Sequence, residues 1–189
     1  MLAARYDAPG ELSLAELPDP VAGDGELVLE VAACGICGSD LHAFRSTFLA
    51  KPGQVMGHEF SGLVLDAPGV SGVAVGDRVA VRPQQPCGEC AQCRAGQIQL
   101  CERGPAGIIG YGPAGAFAER VLIPRAVSDE TFFVLPSSID DRGGALAEPL
   151  AVALRAVKQA GNVSGAVVLV LGAGMILSLI HISEPTRPY

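Results

Sequence analysis

Short apolar runs, each closed by glycine or proline, follow one another along the first two thirds of the chain. Polar and apolar residues alternate in part over residues 26–31, where the sequence reads ELVLEV. Further short runs occupy residues 60–65, 77–81, 117–123 and 131–135. Runs of this length between turn residues are typical of strands. We therefore expect a mainly β structure, either a barrel or a curled sheet.

The pattern changes to a helical one after residue 140. Apolar side chains recur there at positions i, i+3, i+4 and i+7, which are Leu150, Ala153, Leu154 and Val157. Pro149 suits the first turn of a helix, and Gly161 suits the end of one. The pattern predicts a helix that links two domains.

A continuous apolar run, AVVLVL over residues 166–171, ends in Gly172-Ala173-Gly174. This combination predicts a buried parallel strand that enters a phosphate-binding turn, with Gly172 and Gly174 as candidate cofactor-binding residues. The third glycine of the full motif is replaced by Leu177. One βαβ unit needs about 30 residues, so we expect only the start of a second, α/β domain in this chain.

Composition narrows the possible partners. With 49% hydrophobic and 17% charged residues, the chain can bury a sizeable core, and its 24 glycines favour short strands and tight turns. The formal charge of −7 argues against nucleic acid and against anionic membranes. The first ten residues lack the features of a signal peptide. We expect a small-molecule ligand and a cytoplasmic location.

Four of the six cysteines lie within fifteen residues of one another, at Cys87, Cys90, Cys93 and Cys101. In a reducing compartment, clustered thiols indicate a metal more than disulfides. All-sulfur tetrahedral coordination is typical of structural zinc, and four ligands leave no open position for chemistry. The alternatives are coincidence or a redox dithiol.

A second group of candidate ligands lies upstream. The segment CGICGSDLH (residues 34–42) and the triplet GHE (residues 57–59) together offer a thiolate, imidazoles, carboxylates and a hydroxyl. That mixture suits a catalytic zinc with three protein ligands and one exchangeable position. A Gly-His-Glu triplet by itself is more often a turn.

With these motifs the chain resembles the zinc-containing medium-chain alcohol dehydrogenases. The resemblance rests on CGICGSDLH, on GHEFSG from residue 57, on GDRV from residue 76, on the four cysteines and on GAG after an apolar run, and it spans residues 1–176. It implies a mainly β GroES-like barrel catalytic domain over residues 1–147, with a structural zinc lobe at 84–104. The linking helix and the first strand of an α/β Rossmann domain would follow over 148–176.

The resemblance also implies roles for individual residues. Two zinc ions per chain and NAD or NADP would be the cofactors, and the whole protein would be a homo-oligomer. Cys37 and His58 would bind the catalytic zinc, with Glu59 beside it and Asp40 supporting His58. Ser39 and His42 would form the proton path. Only the second cysteine of CGIC is used in the family pattern, so Cys34 is expected to be a buried small residue.

Glu148 is the expected third ligand of the catalytic zinc, directly or through water. The segment AEPL (residues 147–150) resembles the polyol, butanediol and threonine dehydrogenase branches. A glutamate before a helix proline is also a good helix-start residue, and Glu148 could serve in both ways.

The expected activity is hydride transfer from a secondary alcohol, polyol or hydroxy amino acid to NAD(P). The alternative is a zinc-binding structural fragment without catalysis. Residues 177–187 (LSLIHISEPTR) are similar to the translation of a transposase adapter used in sequencing libraries. We therefore expect residues 177–189 to be a non-native tail, in which His181 and Glu184 have no function, and this chain to be inactive alone.

Overall fold

The computed structural model describes residues 1–46, 50–163 and 165–183. The chain opens with an antiparallel hairpin of β1 (Leu2–Ala8) and β2 (Glu11–Glu16). Sequence patterning did not predict this hairpin. Its buried residues in β1, Ala3 and Tyr6, are three positions apart rather than two, and the register shifts between Tyr6 and Ala8. A bulge of this kind interrupts the alternation by which strands are recognised.

Five strands form the main antiparallel sheet, and each of the five regions before residue 140 that were predicted to contain a strand contributes one. In chain order the strands are β3 (Leu27–Gly35), β4 (Glu59–Asp66), β5 (Arg78–Val81), β6 (Arg120–Ile123) and β7 (Phe132–Val134). Their order across the sheet is β6-β3-β4-β5-β7. The register of β3 against β4 shifts twice, and such irregularities bend a sheet.

One face of this sheet carries the hydrophobic core. Leu27 and Leu29, two positions apart on β3, are both fully buried, as the period of a strand requires. The other large members of the core cluster are Phe60, Val64, Val79, Ile109, Ile123 and Phe132. The core therefore joins all five strands to the loop that contains Ile109.

The described part of the chain contains five α-helices. They are α1 (Gly38–Arg45), α2 (Ala91–Arg94), α3 (Asp141–Ala145), α4 (Ala147–Gln159) and α5 (Met175–Ser183). Of these, α3 and α4 pack against the main sheet. The predicted linking helix is present as α4, yet Leu150 and Leu154 on its apolar stripe remain 38% and 40% exposed. Only Pro149 and Ala153 are buried in α4. None of the helices in the described ranges has the length and apolar character needed to cross a bilayer.

The strand expected at residues 166–171 does not form, so that prediction was wrong for this structure. The segment has no regular secondary structure, and Leu169 and Leu171 are 81% and 87% exposed. A parallel strand is stabilised by neighbours on both sides and by helices on both faces, and the described residues supply none of these. Gly172 and Gly174 therefore precede α5 without the expected strand.

Part of the proposed non-native tail is helical. Residues 177–183 belong to α5, which packs against α4 and buries Leu179. Glu184 and the rest of the tail lie outside the described residues.

Two adjacent phenylalanines of β7 test the assignment of the core. Phe132 is fully buried, whereas its neighbour Phe133 is 43% exposed. We expect Phe132→Ala to lower the free energy of unfolding by about 3–5 kcal/mol, because it leaves a cavity in the core. Phe133→Ala is the matched control and should cost below about 1 kcal/mol. Urea unfolding followed by circular dichroism measures both, and equal losses would contradict the assignment.

Candidate metal centres

The four clustered cysteines converge on one point of a small lobe. Their sulfur atoms all lie within 4.8 Å of one another, as the spacing predicts. Cys90 caps the N-terminus of the short helix α2, which also contains Cys93. The Sγ···Sγ distance between Cys87 and Cys93 is 3.8 Å. This is far longer than the roughly 2.05 Å of a disulfide, and all four thiols are free.

Backbone N–H groups of the lobe point at the sulfur atoms. Cys87 donates to Sγ of Cys101, and Cys90 donates to Sγ of Cys87, each at 3.3 Å. Such donors stabilise thiolates: the N–H groups of Glu102 and Cys93 lower the pKa of Cys90 to about 6. A zinc ion with Zn–S distances of about 2.3 Å needs sulfur atoms about 3.8 Å apart at the corners of a tetrahedron. The lobe thus fits one zinc ion.

A second cluster forms where α1 meets the start of β4. One ligand atom each from Cys37, His58 and Glu59 lies within 4.8 Å of the others. Cys37 is the N-cap of α1. His58 and Glu59 are 6% and 2% exposed, so both side chains are held inside the protein.

Asp40 ties the two halves of this cluster together. Its Oδ2 accepts a hydrogen bond from the Cys37 N–H at 2.9 Å, and its Oδ1 lies 3.4 Å from Nδ1 of His58. Because Nδ1 faces Asp40, Nε2 is the nitrogen of His58 that remains for a ligand. A carboxylate behind a histidine ring is the usual support of a histidine that binds zinc.

Oε1 of Glu59 is buried without a hydrogen-bond partner in the described residues. Oδ1 of Asp40 and Nδ1 of His58 are also buried, and they face each other at 3.4 Å. Burial acts to lower the pKa of His58, but Asp40 and Cys37 outweigh it and raise the pKa to about 10. Buried anionic groups without partners are costly. The donor set therefore fits a cation.

Ser39 and Tyr111 complete one side of the cluster. Ser39 Oγ lies 3.4 Å from Nε2 of His58 and accepts a hydrogen bond from the Tyr111 hydroxyl at 2.7 Å. The rings of Tyr111 and His58 are 5.2 Å apart. Burial is the main factor that raises the pKa of Tyr111 to about 12. Sequence analysis missed Tyr111, because it lies 72 residues from Ser39 in a loop with no recognisable motif.

The loop that contains Tyr111 is fastened to the segment that leads into His58. Three consecutive backbone N–H groups at 115–117 donate to the carbonyls of Val55, Gly57 and Met56 at 2.8–2.9 Å. Gly57 has a φ of +92°, and a Cβ atom there would lie 2.7 Å from the Phe117 ring. A Cβ atom at Gly115 would lie 2.2 Å from the Met56 carbonyl oxygen. Only glycines allow this approach.

Glu148 and His42 lie at the margins of the cluster. Glu148 begins α4 and is half-buried, but it is not in the group with ligand atoms within 4.8 Å. Burial is the main factor that raises the pKa of Glu148. The charge of His58 acts to lower this pKa, whereas the charges of Glu59 and Asp40 raise it further. His42 is exposed on α1, one turn after Ser39.

Cys34 lies on β3 and packs partly buried against the core. Burial and the nearby charge of Asp40 raise the pKa of Cys34 to about 12. A thiol of this kind is inert, in line with the expectation of a small buried residue.

Comparison with known proteins identifies the family of this chain. The sequence pattern of the alcohol dehydrogenase GroES-like domain matches residues 23–129, which is more than half of the chain. The chain belongs to the zinc-dependent medium-chain alcohol dehydrogenase family. The matched residues 23–129 are accordingly a GroES-like domain, and the family assignment made from the motifs is confirmed.

Several members of this family are similar over most of the chain. L-threonine 3-dehydrogenase of Pyrococcus horikoshii is 39% identical over 180 residues, covering 92% of this chain and 50% of the relative. Sorbitol dehydrogenase of Halalkalibacterium halodurans is 33% identical, covering 88% of this chain and 48% of the relative. The chain thus spans about half the length of the curated relatives it matches.

A solved structure shares the fold. It is described as a zinc-binding dehydrogenase from Sinorhizobium meliloti bound to NADP, and it is 37% identical with a TM-score of 0.76. The match covers 86% of this chain and 46% of that one.

The close contact at Gly115 generates a stability test. Gly115→Ala would place a methyl group against backbone atoms that cannot move away, so we expect a loss of about 3 kcal/mol or more in the free energy of unfolding. Gly38→Ala is the matched control, because a Cβ atom at Gly38 would meet nothing within 4 Å. Urea unfolding measures both variants, and a Gly115→Ala protein as stable as the control would contradict the tight contact.

Proposed function

We propose that this chain is the catalytic-domain portion of a zinc-dependent dehydrogenase that transfers hydride from a secondary alcohol, polyol or hydroxy amino acid to NAD(P). The buried cluster of Cys37, His58 and Glu59 carries the proposal, because it gathers three metal-ligand types and leaves a buried carboxylate oxygen of Glu59 without a partner in the described residues. The relatives, which include threonine and sorbitol dehydrogenases, support the substrate range.

The proposed ligands of the catalytic zinc are Cys37, His58 and Glu148, with Glu59 beside the metal. When bound, zinc supplies a Lewis acid that polarises an alcohol oxygen. Glu148 interacts electrostatically with His58, Glu59 and Asp40. This interaction supports Glu148 as a zinc ligand, directly or through water. Glu59 competes for the same role, because its carboxylate, unlike that of Glu148, belongs to the group whose ligand atoms all lie within 4.8 Å of one another.

The residues around the proposed metal would position the substrate and move its proton. Ser39 Oγ lies beside His58 Nε2 and can accept the alcohol proton. His42, exposed one turn further along α1, can release that proton to solvent. Asp40 keeps Nδ1 of His58 occupied, so that the ring presents Nε2 to the site.

The remaining parts of the proposal concern the rest of the protein. Cys87, Cys90, Cys93 and Cys101 would hold a structural zinc ion. Gly172 and Gly174 would contact NAD or NADP in a second domain that starts with α4, so that the domains are residues 1–147 and 148–176, followed by a non-native tail. The whole protein would act on a small-molecule alcohol in the cytoplasm as a homo-oligomer.

A second candidate function is a zinc-binding structural fragment without catalysis in this form. The exposed, unpaired segment 166–171 favours it, because the cofactor site has no sheet to rest on. Metal analysis together with an assay of NAD(P) reduction separates the two candidates. Two zinc ions and no reduction with secondary alcohols, polyols or hydroxy amino acids would support the fragment.

Zinc content of cysteine variants tests the two centres. The purified chain should contain one zinc ion for each of the two clusters. Cys37→Ser should lose the catalytic ion and Cys93→Ser the structural one, because each removes a thiolate ligand. Cys34→Ser is the matched control and should keep both ions. Mass spectrometry of metals gives the counts, and a full complement in Cys37→Ser would refute the catalytic centre.

The third ligand is tested with two isosteric variants. Glu148→Gln should weaken binding of Co²⁺ at the Cys37 centre by about tenfold or more, the scale expected for losing a ligand or its close support. Glu59→Gln should change the affinity less. Titration followed by the cobalt–thiolate absorption band, with the cysteine lobe already filled by zinc, measures both. The reverse order of effects would assign the third ligand to Glu59.

A further inference from the structure

We propose that Tyr111 is a positioning residue that fixes the Ser39 hydroxyl in the candidate catalytic centre. Tyr111 sets the orientation of the Ser39 hydroxyl. The relevance of this orientation to proton transfer rests on the proposed function. The juxtaposition itself does not depend on that function, since it is present in the fold of this chain.

Ser39 lies between two groups that differ in kind. The Tyr111 hydroxyl donates to Ser39 Oγ at 2.7 Å, a distance typical of an O–H···O hydrogen bond. His58 Nε2 lies 3.4 Å from the same oxygen. The Tyr111 ring is tilted by 40° to the His58 ring, with the ring centroids 5.2 Å apart.

The hydrogen-bonding capacity of serine shows what the Tyr111 hydroxyl does. A serine hydroxyl has one donor hydrogen and two acceptor lone pairs. With one lone pair occupied by Tyr111, Ser39 keeps one donor and one acceptor. A hydroxyl that relays a proton needs both of these: the free lone pair accepts one proton, and the donor hydrogen is passed on. Without the phenol, Ser39 could turn among its three staggered rotamers.

Tyr111 can act in this way because its own position is determined by backbone contacts. Its N–H donates to the Ile108 carbonyl at 3.0 Å, and the adjacent Gly110 N–H donates to Pro113 at 2.9 Å. The same loop is bonded at 115–117 to the carbonyls of residues 55–57, directly before His58. Tyr111 and His58 therefore belong to one rigid unit, and Ser39 reaches it from α1.

A role in packing alone is the alternative explanation for Tyr111. In that case the ring would suffice and the hydroxyl would be dispensable, so Tyr111→Phe separates the two roles. Tyr6 offers a matched control, because its hydroxyl also makes one hydrogen bond, to the Ser46 carbonyl at 3.0 Å, outside the metal centre.

The test is the side-chain rotamer of Ser39, measured by nuclear magnetic resonance on serine-labelled chain with and without zinc. Ser39→Ala identifies the resonances. In the unchanged chain and in Tyr6→Phe, the Hα–Hβ couplings should show a single dominant χ1 rotamer. In Tyr111→Phe they should shift toward averaged values, with roughly equal occupancy of the wells. Unchanged couplings in Tyr111→Phe, or equal changes in both variants, would overturn the proposal.

A reciprocal measurement covers the case in which Tyr111→Phe does not fold. Ser39→Ala removes the acceptor and should speed exchange of the Tyr111 hydroxyl proton with solvent by tenfold or more. The Tyr6 hydroxyl in the same sample should not change. Equal exchange of the Tyr111 proton in both proteins would refute the proposal. Neither measurement needs turnover, and zinc content is determined separately, so failure of the proposed enzyme activity would be recognised independently.

Discussion

The close backbone contact between residues 55–57 and the loop at 110–117 is the constraint on which the candidate catalytic centre depends. Three successive hydrogen bonds join the two segments, and glycines at positions 57 and 115 let them approach. One segment continues into His58 and β4, while the other contains Tyr111 and continues toward β6. Ile109, next to this loop, is buried in the hydrophobic core. The packing of the core therefore helps to hold the candidate catalytic centre in place.

This arrangement also buries two acidic side chains in the candidate catalytic centre. Asp40 and Glu59 are each 2% exposed and lie around an imidazole and a thiol. Folding brings these groups together at a cost that hydrogen bonds in the described residues do not fully offset. A bound divalent cation would offset it, because metal binding and folding stabilise one another when the ligands come from distant parts of the chain.

The two candidate metal centres differ in how much of the fold they require. The four cysteines span fifteen residues, and most of their contacts lie within the lobe, such as the hydrogen bonds among Cys87, Cys90 and Cys101. The second centre joins the N-terminus of α1 to the start of β4 and faces the first turn of α4. Loss of order in the core would therefore affect the second centre before the first. An intact lobe is no evidence of an intact catalytic centre.

The sequence by itself determined the features that depend on local spacing. The strand segments of the main sheet, the helix α4, the cysteine lobe and the family could all be read from it, because periodicity, turn residues and ligand spacing act over a few positions. Only the tertiary structure decided the rest. It added the β1–β2 hairpin and Tyr111, grouped Glu59 rather than Glu148 with Cys37 and His58, and left residues 166–171 unpaired. Each of these depends on a partner distant in the chain, or on the lack of one among the described residues, and local patterns contain no record of such partners.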